Sequence, residues 1–435
     1  MSLPAAVVIL AAVLVLIAVR QIGSVRLPIW LVMCAGALAA LLTGSIAPRD
    51  ALAAIDPDVM LFLFGMFVVG RALEDSGLLL SLAHRIFGRT RRTGGLVLLL
   101  LYAAGLLSAL LMNDTLAVIG TPVVLYHATR HRISPKLLLL ALAFAVTTGS
   151  VLSPIGNPQN LLVALHGGVP NPFVTFLVYL GVPTLAGLGL CWVALRLAFA
   201  REFHTQAIDH TEEPIHDPRL AALGRVSLAL VAILVVAKVI IVSAGLPVDF
   251  RLTWIALAGA APILVGSPRR FSVLARIDWS TLAFFAAMFV LMDAVWRSGF
   301  LQRFIDGRNL ASVPVILALG VGASQLVSNV PFVALFLPLL QGAGLPAVMA
   351  LAAGSTLAGN LFVLGAASNV IVIQAAESAA QREADRSPRG SGAVPLRHRS
   401  LTFLDFARVG LPLTLAQVLL YWGWIALMTR MVGSG

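Results

Sequence analysis

Long apolar stretches alternate with short polar ones along the whole chain. Leu3–Val19, Leu27–Ile46, Val59–Leu82, Phe173–Phe199, Val226–Ala244, Thr253–Val265, Trp279–Trp296 and Phe403–Arg430 each read as one transmembrane helix. A helix rising 1.5 Å per residue crosses a ~30 Å hydrocarbon core in about 20 residues. Four stretches depart from that pattern. The apolar run Leu96–Tyr126 carries a polar knot, Asn113-Asp114-Thr115, and is too short for two spans of ~20 residues. Arg85, Arg89, Arg91 and Arg92 precede it, and Arg130, Arg132 and Lys136 follow it. Basic loops stay in the cytoplasm, so both ends lie on one face. This predicts a re-entrant hairpin, residues 95–126, whose tip sits near mid-membrane. A second run, Val313–Leu340, carries Ser328-Asn329-Val330-Pro331 and predicts a second hairpin, residues 311–341.

A broken span follows each hairpin. In 137–166 the interruption is Thr147–Asn160, which holds Gly149, Ser150, Gly156, Asn157 and Asn160. In 345–376 it falls at Gly354–Asn360, with Gly359 and Asn360, and again at Gly365–Asn369, with Ser368. Glycine and proline interrupt a regular helix. Unwound backbone at membrane depth persists only where protein or a watery cavity satisfies it.

The halves repeat. Asp56, Met66-Phe67 and Ser76-Gly77 match Asp278, Met288-Phe289 and Ser298-Gly299 at an offset of 222; Asn113 and Pro122 match Asn329 and Pro338 at 216; Gly156 and Asn160 match Gly365 and Asn369 at 209. Residues 1–200 form the first repeat, 201–225 a cytoplasmic linker and 226–435 the second repeat. Each repeat holds five spans plus one hairpin, and an odd number of spans inverts the second half. On that topology 21 of the 30 Lys and Arg fall in cytoplasmic loops and six outside. The first hairpin then enters from the cytoplasm and the second from outside. Inverted repeats with broken helices mark secondary transporters.

Composition adds limits. The chain has 435 residues, 59% hydrophobic and 11% charged, with a mean hydropathy of +0.97, which is a polytopic membrane protein with no soluble domain. Its net charge of +11 follows the loop bias and does not point to nucleic acid. The first apolar stretch reads as a retained span, not a signal peptide. Cys34 and Cys191 lie in apolar spans and read as small buried hydrophobes. His204, His210 and His216 read as solvated linker residues. Arg71, Glu74 and Asp75 are expected to pair with each other or reach the interface, and Lys238 and Asp293 to serve as scaffold contacts. Glu377–Ser400 reads as a flexible cytoplasmic loop. No His-Glu-x-x-His, no Gly-x-Ser-x-Gly and no Walker loop occurs, which argues against an enzyme or an ATP-driven pump. A channel would show polarity along a continuous pore, whereas here it is confined to two tips and two breaks.

At Asn113-Asp114-Thr115, Ser153-Pro-Ile-Gly-Asn-Pro-Gln-Asn160, Ser328-Asn329-Val330 and Gly359–Asn369 the chain resembles the ion transporter superfamily. That group includes divalent-anion/sodium symporters, citrate transporters, arsenite permeases and NhaD-type antiporters. The resemblance implies an all-α inner-membrane (plasma-membrane) protein with many passes, a homodimer, and a transport unit that moves like an elevator past a scaffold. It implies that substrate and ion are held by Asn113, Asp114, Thr115, Gly149, Ser150, Gly156, Asn157, Asn160, Ser328, Asn329, Gly359, Asn360, Gly365, Ser368 and Asn369. Sodium would be held at Asn113, Asp114, Asn160, Asn329 and Asn369. Two departures stand out: Val330 replaces a threonine, and Asp114 resembles the acidic tip of the arsenite permease branch. Asp114 reads as a coupling site for a proton or sodium, or as a cap of its half-helix. The leading expectation is a secondary transporter of a small anion, an organic carboxylate or inorganic oxyanion, coupled to Na+ or H+ and needing no other cofactor. The alternative is a Na+/H+ antiporter or arsenite permease of the same fold. Alanine at Asn113, Asn160, Asn329 or Asn369 is expected to abolish transport in folded protein.

Overall fold

Proline and short polar residues set where the helices start. In the computed structural model, which describes residues 3–19, 21–22, 25–26, 28–79, 81–82, 90, 92–131, 133–203, 217–246, 248, 250–300, 302, 312–386 and 401–433, the first half contains α1 (Ala5–Val19), α2 (Ile29–Leu42), α3 (Pro48–Ala54), α4 (Pro57–Ser76), α5 (Thr93–Leu111), α6 (Asn113–Arg130), α7 (Pro135–Ser150), α8 (Pro158–His166), α9 (Pro172–Phe176) and α10 (Val182–Ala198). The second half contains α11 (Pro218–Ser243), α12 (Leu252–Gly266), α13 (Arg270–Ala275), α14 (Trp279–Arg297), α15 (Val313–Val327), α16 (Asn329–Phe336), α17 (Leu345–Leu361), α18 (Ala367–Arg386) and α19 (Phe403–Gly433). Proline opens α3, α4, α7, α8, α9 and α11, where its missing N–H and fixed φ cost nothing. Asp56, Asn157, Asp217 and Asp278 cap α4, α8, α11 and α14 by accepting from the amide three residues on, at 2.8–3.0 Å, each worth ~1 kcal/mol. Apart from a hairpin of two two-residue strands, Gln21–Ile22 and Val25–Arg26, the described fold is helical.

Several sequence boundaries move. Among the described residues five helical stretches are long and apolar enough to cross a membrane alone, and the pair α3/α4, bent by 53°, is a sixth if taken as one span. The helices α1, α2 and α12, at 15, 14 and 15 residues, fall short of the ~20 residues of a full crossing. Counting apolar residues included flanks that lie beyond the helix ends. The predicted linker 201–225 ends earlier, because Asp217 and Pro218 start α11. Its His204, His210 and His216, and Arg85, Arg89, Arg91 and Arg132 of the basic loops, lie outside the described residues. Of the predicted loop Glu377–Ser400, residues 377–386 continue α18 and 387–400 lie outside the described set. Gly354–Asn360 is no interruption, for α17 runs through it to Leu361. A glycine weakens a helix by only ~1 kcal/mol, and Gly354 sits where a Cβ would lie 2.9 Å from the Leu317 carbonyl, so close packing of α15 on α17 outweighs its propensity.

Helix contacts come in corresponding sets. The helix α4 packs on α12 and α14 on α2; α5 packs on α7 and α15 on α17; α6 packs on α18 and α16 on α8. Near the middle α7 meets α17 and α10 meets α19. Polar contacts also sort the loops into two ends. At one end Arg251 meets Asp58 at 3.4 Å, His166 meets Asp56 at 2.7 Å and Arg297 meets Asp50 at 3.1 Å. At the other, Arg276 meets Asp75 at 2.8 Å, Arg269 meets Asp217 at 3.1 Å and Lys136 meets Asp405 at 2.7 Å. Arg71 pairs with Glu74 at 3.0 Å and Asp75 at 2.7 Å. Lys238 donates to the Phe250 carbonyl. Asp293 holds Arg297 at 2.6 Å. Both cysteines are free thiols, with Cys191 fully buried.

Candidate functional site

The two tips share one unusual backbone geometry. Met112 (φ 68°, ψ 140°) separates α5 from α6, and Ser328 (φ 72°, ψ 155°) separates α15 from α16. Among the described residues these are the only non-glycine residues at positive φ, and they stand 216 positions apart, the offset of the sequence repeat. That region of φ/ψ space is close to glycine-only and costs ~1–3 kcal/mol, strain that concentrates at functional sites. Met112 carries no polar signal, so sequence reasoning passed over it.

The two breaks are also built alike. In the first, the Asn160 side-chain amide donates to the carbonyls of Ser150, Val151 and Ser153 at 3.1, 3.2 and 3.0 Å. In the second, Asn369 donates to the Gly359 carbonyl at 2.5 Å. Ser150 and Gly359 are themselves 209 apart, as are Asn160 and Asn369. An asparagine thus closes each interrupted helix by satisfying carbonyls that the break would leave bare.

Four segments meet at this level. The Asn113 amide donates to the Gly156 carbonyl at 2.9 Å, tying the first tip to the first break. The Asn113 side-chain oxygen accepts from the Asp114 amide at 2.9 Å. Asn157 donates to Ser150 Oγ at 3.0 Å and to Thr356 Oγ1 at 3.3 Å. Gln159 reaches Thr356 at 3.4 Å, and Thr356 in turn donates to Asn160 Oδ1 at 3.3 Å. Thr356, on α17, therefore joins the second half to the first break. Asn360 donates to Thr148 Oγ1 at 2.9 Å and Gln417 Oε1 at 2.8 Å, and Gln325 donates to the Ala358 carbonyl at 2.8 Å. Gln325 and Gln417 are lone amides in apolar runs, a signal the sequence offered without a motif around it.

Other candidates have packing duties. A Cβ on Gly149 would lie 2.1 Å from the Gly105 carbonyl, one on Gly156 2.4 Å from the Ser150 carbonyl and one on Gly365 2.1 Å from the Ala358 carbonyl. Thr115 is wedged against α4, 2.6 Å from where a Cβ on Gly70 would stand. Gly359 faces Ala366 and Thr147.

Several polar atoms remain unpartnered. Buried Asn329 Oδ1, Asn360 Oδ1, Ser368 Oγ, Asn369 Oδ1, Thr147 Oγ1 and Gln325 Oε1 have no hydrogen-bond partner. A buried unpaired polar group costs ~1–3 kcal/mol, so such a cluster fits a ligand-binding surface. Among the described residues the half-buried Asp114 has no counter-ion, and no Lys or Arg bonds to any of the tip or break residues named above.

The chain and its fold have relatives. A sequence profile described as citrate transporter (CitMHS) matches residues 12–358. The silicon efflux transporter LSI3 of rice (Oryza sativa subsp. japonica) is 27% identical over 446 aligned residues, covering 87% of this chain and 88% of that protein. The inner membrane protein YbiR of Escherichia coli is 29% identical over 302 residues, 67% of this chain and 73% of its own. The crystal structure of the Alcanivorax borkumensis YdaH transporter superposes with a TM-score of 0.54 at 18% identity, covering 99% of this chain and 97% of that one, a likeness of fold. The chain belongs to the citrate transporter family of the ion transporter superfamily, a family of membrane transporters and not of enzymes.

Proposed function

We propose that this transporter carries a small neutral hydroxylated solute of the undissociated oxyacid kind, such as silicic or arsenous acid, across the inner membrane, with Asp114 exchanging the coupling proton. One observation carries the reading: of the unpartnered side-chain atoms at the second tip and second break, the three amide oxygens of Asn329, Asn360 and Asn369 only accept, and the Ser368 hydroxyl accepts as well as donates. The amide donors of Asn157, Asn160, Asn360 and Asn369 are spent on neighbouring hydroxyl, carbonyl and amide oxygens. At the first tip the N–H groups of Asn113 and Asp114 are taken as well. An acceptor-rich surface suits O–H donors or a cation, and it suits a doubly negative carboxylate poorly. The silicon efflux activity named for the rice relative fits the same chemistry.

The family's citrate description favours a second reading, in which a carboxylate enters together with sodium. The cation would then rest on Asn329 Oδ1 and Asn369 Oδ1 and supply the positive charge that the side chains lack. In both readings the hairpins and broken helices, residues 93–166 and 313–386, move as one unit against a scaffold of α1–α4 and α11–α14 in a homodimer. The paired helix contacts and the sorting of loops into two ends support an inverted repeat of that kind.

Liposomes with an internal pH dye test the choice. Silicic acid, arsenous acid, citrate, succinate and sulfate are added in turn, with and without sodium, to the parent protein and to Asp114→Asn. Proton movement on adding a neutral acid, lost in Asp114→Asn, is the expected outcome. Movement only with citrate plus sodium selects the second reading. Proton flux driven by sodium alone, with no solute, makes the protein a cation/proton antiporter and overturns both.

A further inference from the structure

Asp56 performs two tasks at one end of the bundle. One oxygen accepts from the Val59 amide at 3.0 Å and caps α4. The other meets His166 Nε2 at 2.7 Å. His166 is the last residue of α8, the second arm of the first broken helix, so this contact ties the broken helix to α4. The repeat shows that the cap does not require a histidine. Asp278 caps α14 in the same way, at 3.0 Å to the Thr281 amide. Its second oxygen is taken by its own Thr281 hydroxyl at 2.6 Å, and the position matching His166 is Ala375. The imidazole is an addition on one side of the molecule only.

The surroundings leave room for that contact to open. A cavity of about 420 Å3 lies beside it, lined by His166, Gly167 and Gly168 on one wall and by Leu340, Gln341 and Leu345 on the other. The His166 side chain is 50% exposed, so it equilibrates with the solution on that face. Asp58, two residues beyond Asp56, pairs with Arg251 at 3.4 Å. The facing segments Asn329–Leu340 and Leu345–Leu361 contain no charged residue.

We propose that Asp56–His166 is a pH-sensitive latch on the outer face, which holds the broken helix to α4 and must open for the transport unit to move. This rests on the moving-unit reading above and assigns its regulation. The sign follows from the imidazole. With Asp56 ionised, its bond to His166 has a charged acceptor in either state of the imidazole, and protonating His166 adds the attraction of opposite charges. The latch therefore tightens where the outer solution protonates the imidazole and loosens where it does not. Transport should therefore be slowest at acid outer pH.

Two experiments on the full-length protein test this. Transport into liposomes is measured across outer pH for the parent, His166→Gln and Asp56→Asn; asparagine caps a helix as well as aspartate does. The expected result is an acid-side inhibition in the parent that both variants lose. A retained acid-side inhibition in both variants overturns the latch. The second experiment needs no substrate. Melting temperatures of the two single variants and the double variant form a cycle, with coupling expected to be larger at acid pH than at alkaline pH. Coupling that is absent at both pH values also overturns the latch. Coupling without transport of any tested solute would leave the latch standing and remove the substrate reading instead.

Discussion

The two half-sites use the same parts and leave them in different states. Around the first break the asparagine oxygens are all engaged: that of Asn157 caps α8, that of Asn160 accepts from Thr356 while its amide serves three carbonyls, and that of Asn113 accepts from the Asp114 amide. Around the second, Asn369 makes the corresponding clamp to Gly359, yet its oxygen, that of Asn329 and the Ser368 hydroxyl have no partner. Identical residues at repeat-related positions therefore do different work. The first half spends its asparagine oxygens on the structure, and the second leaves those of Asn329 and Asn369 unpartnered among the described residues. An asparagine read from sequence as a ligand can be a structural clamp, and only its partners tell the two apart.

The strongest way to break this comparison is to remove both clamps. Asn160→Ala removes three hydrogen bonds; the Ser150 and Ser153 carbonyls keep the amides of Ser153 and Gly156, while the Val151 carbonyl loses its Asn160 donor, at ~1–3 kcal/mol. Asn369→Ala removes one. Asn160 also loses the bond to Thr356, four contacts against the one of Asn369, so thermal denaturation in detergent should give the larger fall for Asn160→Ala. Asn160→Ala thus carries a folding cost that the sequence-based expectation of a folded but inactive transporter did not include. Equal falls would mean that the halves are not divided as described.

The helix crossings sharpen it next. In the first half a Cβ on Gly149 would sit 2.1 Å from the Gly105 carbonyl and 2.3 Å from its Cα; in the second, a Cβ on Gly354 would sit 2.9 Å from the Leu317 carbonyl. Backbone cannot swing aside as a side chain can, so α5 and α7 must separate in Gly149→Ala. Overpacking costs ~1–3 kcal/mol and more in tight cores. Gly149→Ala should melt well below Gly354→Ala, and the reverse order would place the tighter crossing in the second half.

Much of this was legible beforehand, for physical reasons that differ from feature to feature. The matching motifs of the two halves could be read because polar residues at membrane depth are costly, so Asn113, Asn160, Asn329 and Asn369 stand out from their apolar surroundings. The tips fall within the predicted hairpins, and the first break ends at Pro158-Gln-Asn160 as its proline requires. Propensity misled at Gly354–Asn360, where interhelical packing keeps the chain helical. Met112 was illegible because its importance lies in a backbone angle, not in its side chain. Gln325 and Gln417 were visible as lone amides but had no neighbours in sequence to name their partners, which come from α17 and α7.

A smaller effect separates binding from folding. Asn329→Ala removes an oxygen that has no partner, so the melting temperature should stay near that of the parent. Solute transport should fall by about tenfold or more, the kinetic equivalent of losing ~1.4 kcal/mol of binding. Normal transport would exclude Asn329 from the site, while a lower melting point would show that its oxygen is engaged in the folded protein.

The smallest expected shifts come from the strained tip residues themselves. Glycine at Ser328 would relieve a φ of 72° that costs ~1–3 kcal/mol, against an added unfolded-chain entropy of ~0.4–1 kcal/mol. Ser328→Gly should therefore raise the melting temperature slightly. Glycine at Met112 relieves the equivalent φ of 68° but also deletes a side chain that is 1% exposed, and burial of that size is worth ~1.5–3 kcal/mol. Met112→Gly should be neutral or melt lower. Opposite signs for the same backbone change would mean that the first tip is held by apolar packing and the second by strain alone, which agrees with a first half that spends its asparagine oxygens on the structure and a second that leaves those of Asn329 and Asn369 unpartnered among the described residues. A rise of equal size in both would put the Met112 side chain outside the packing that holds the tip.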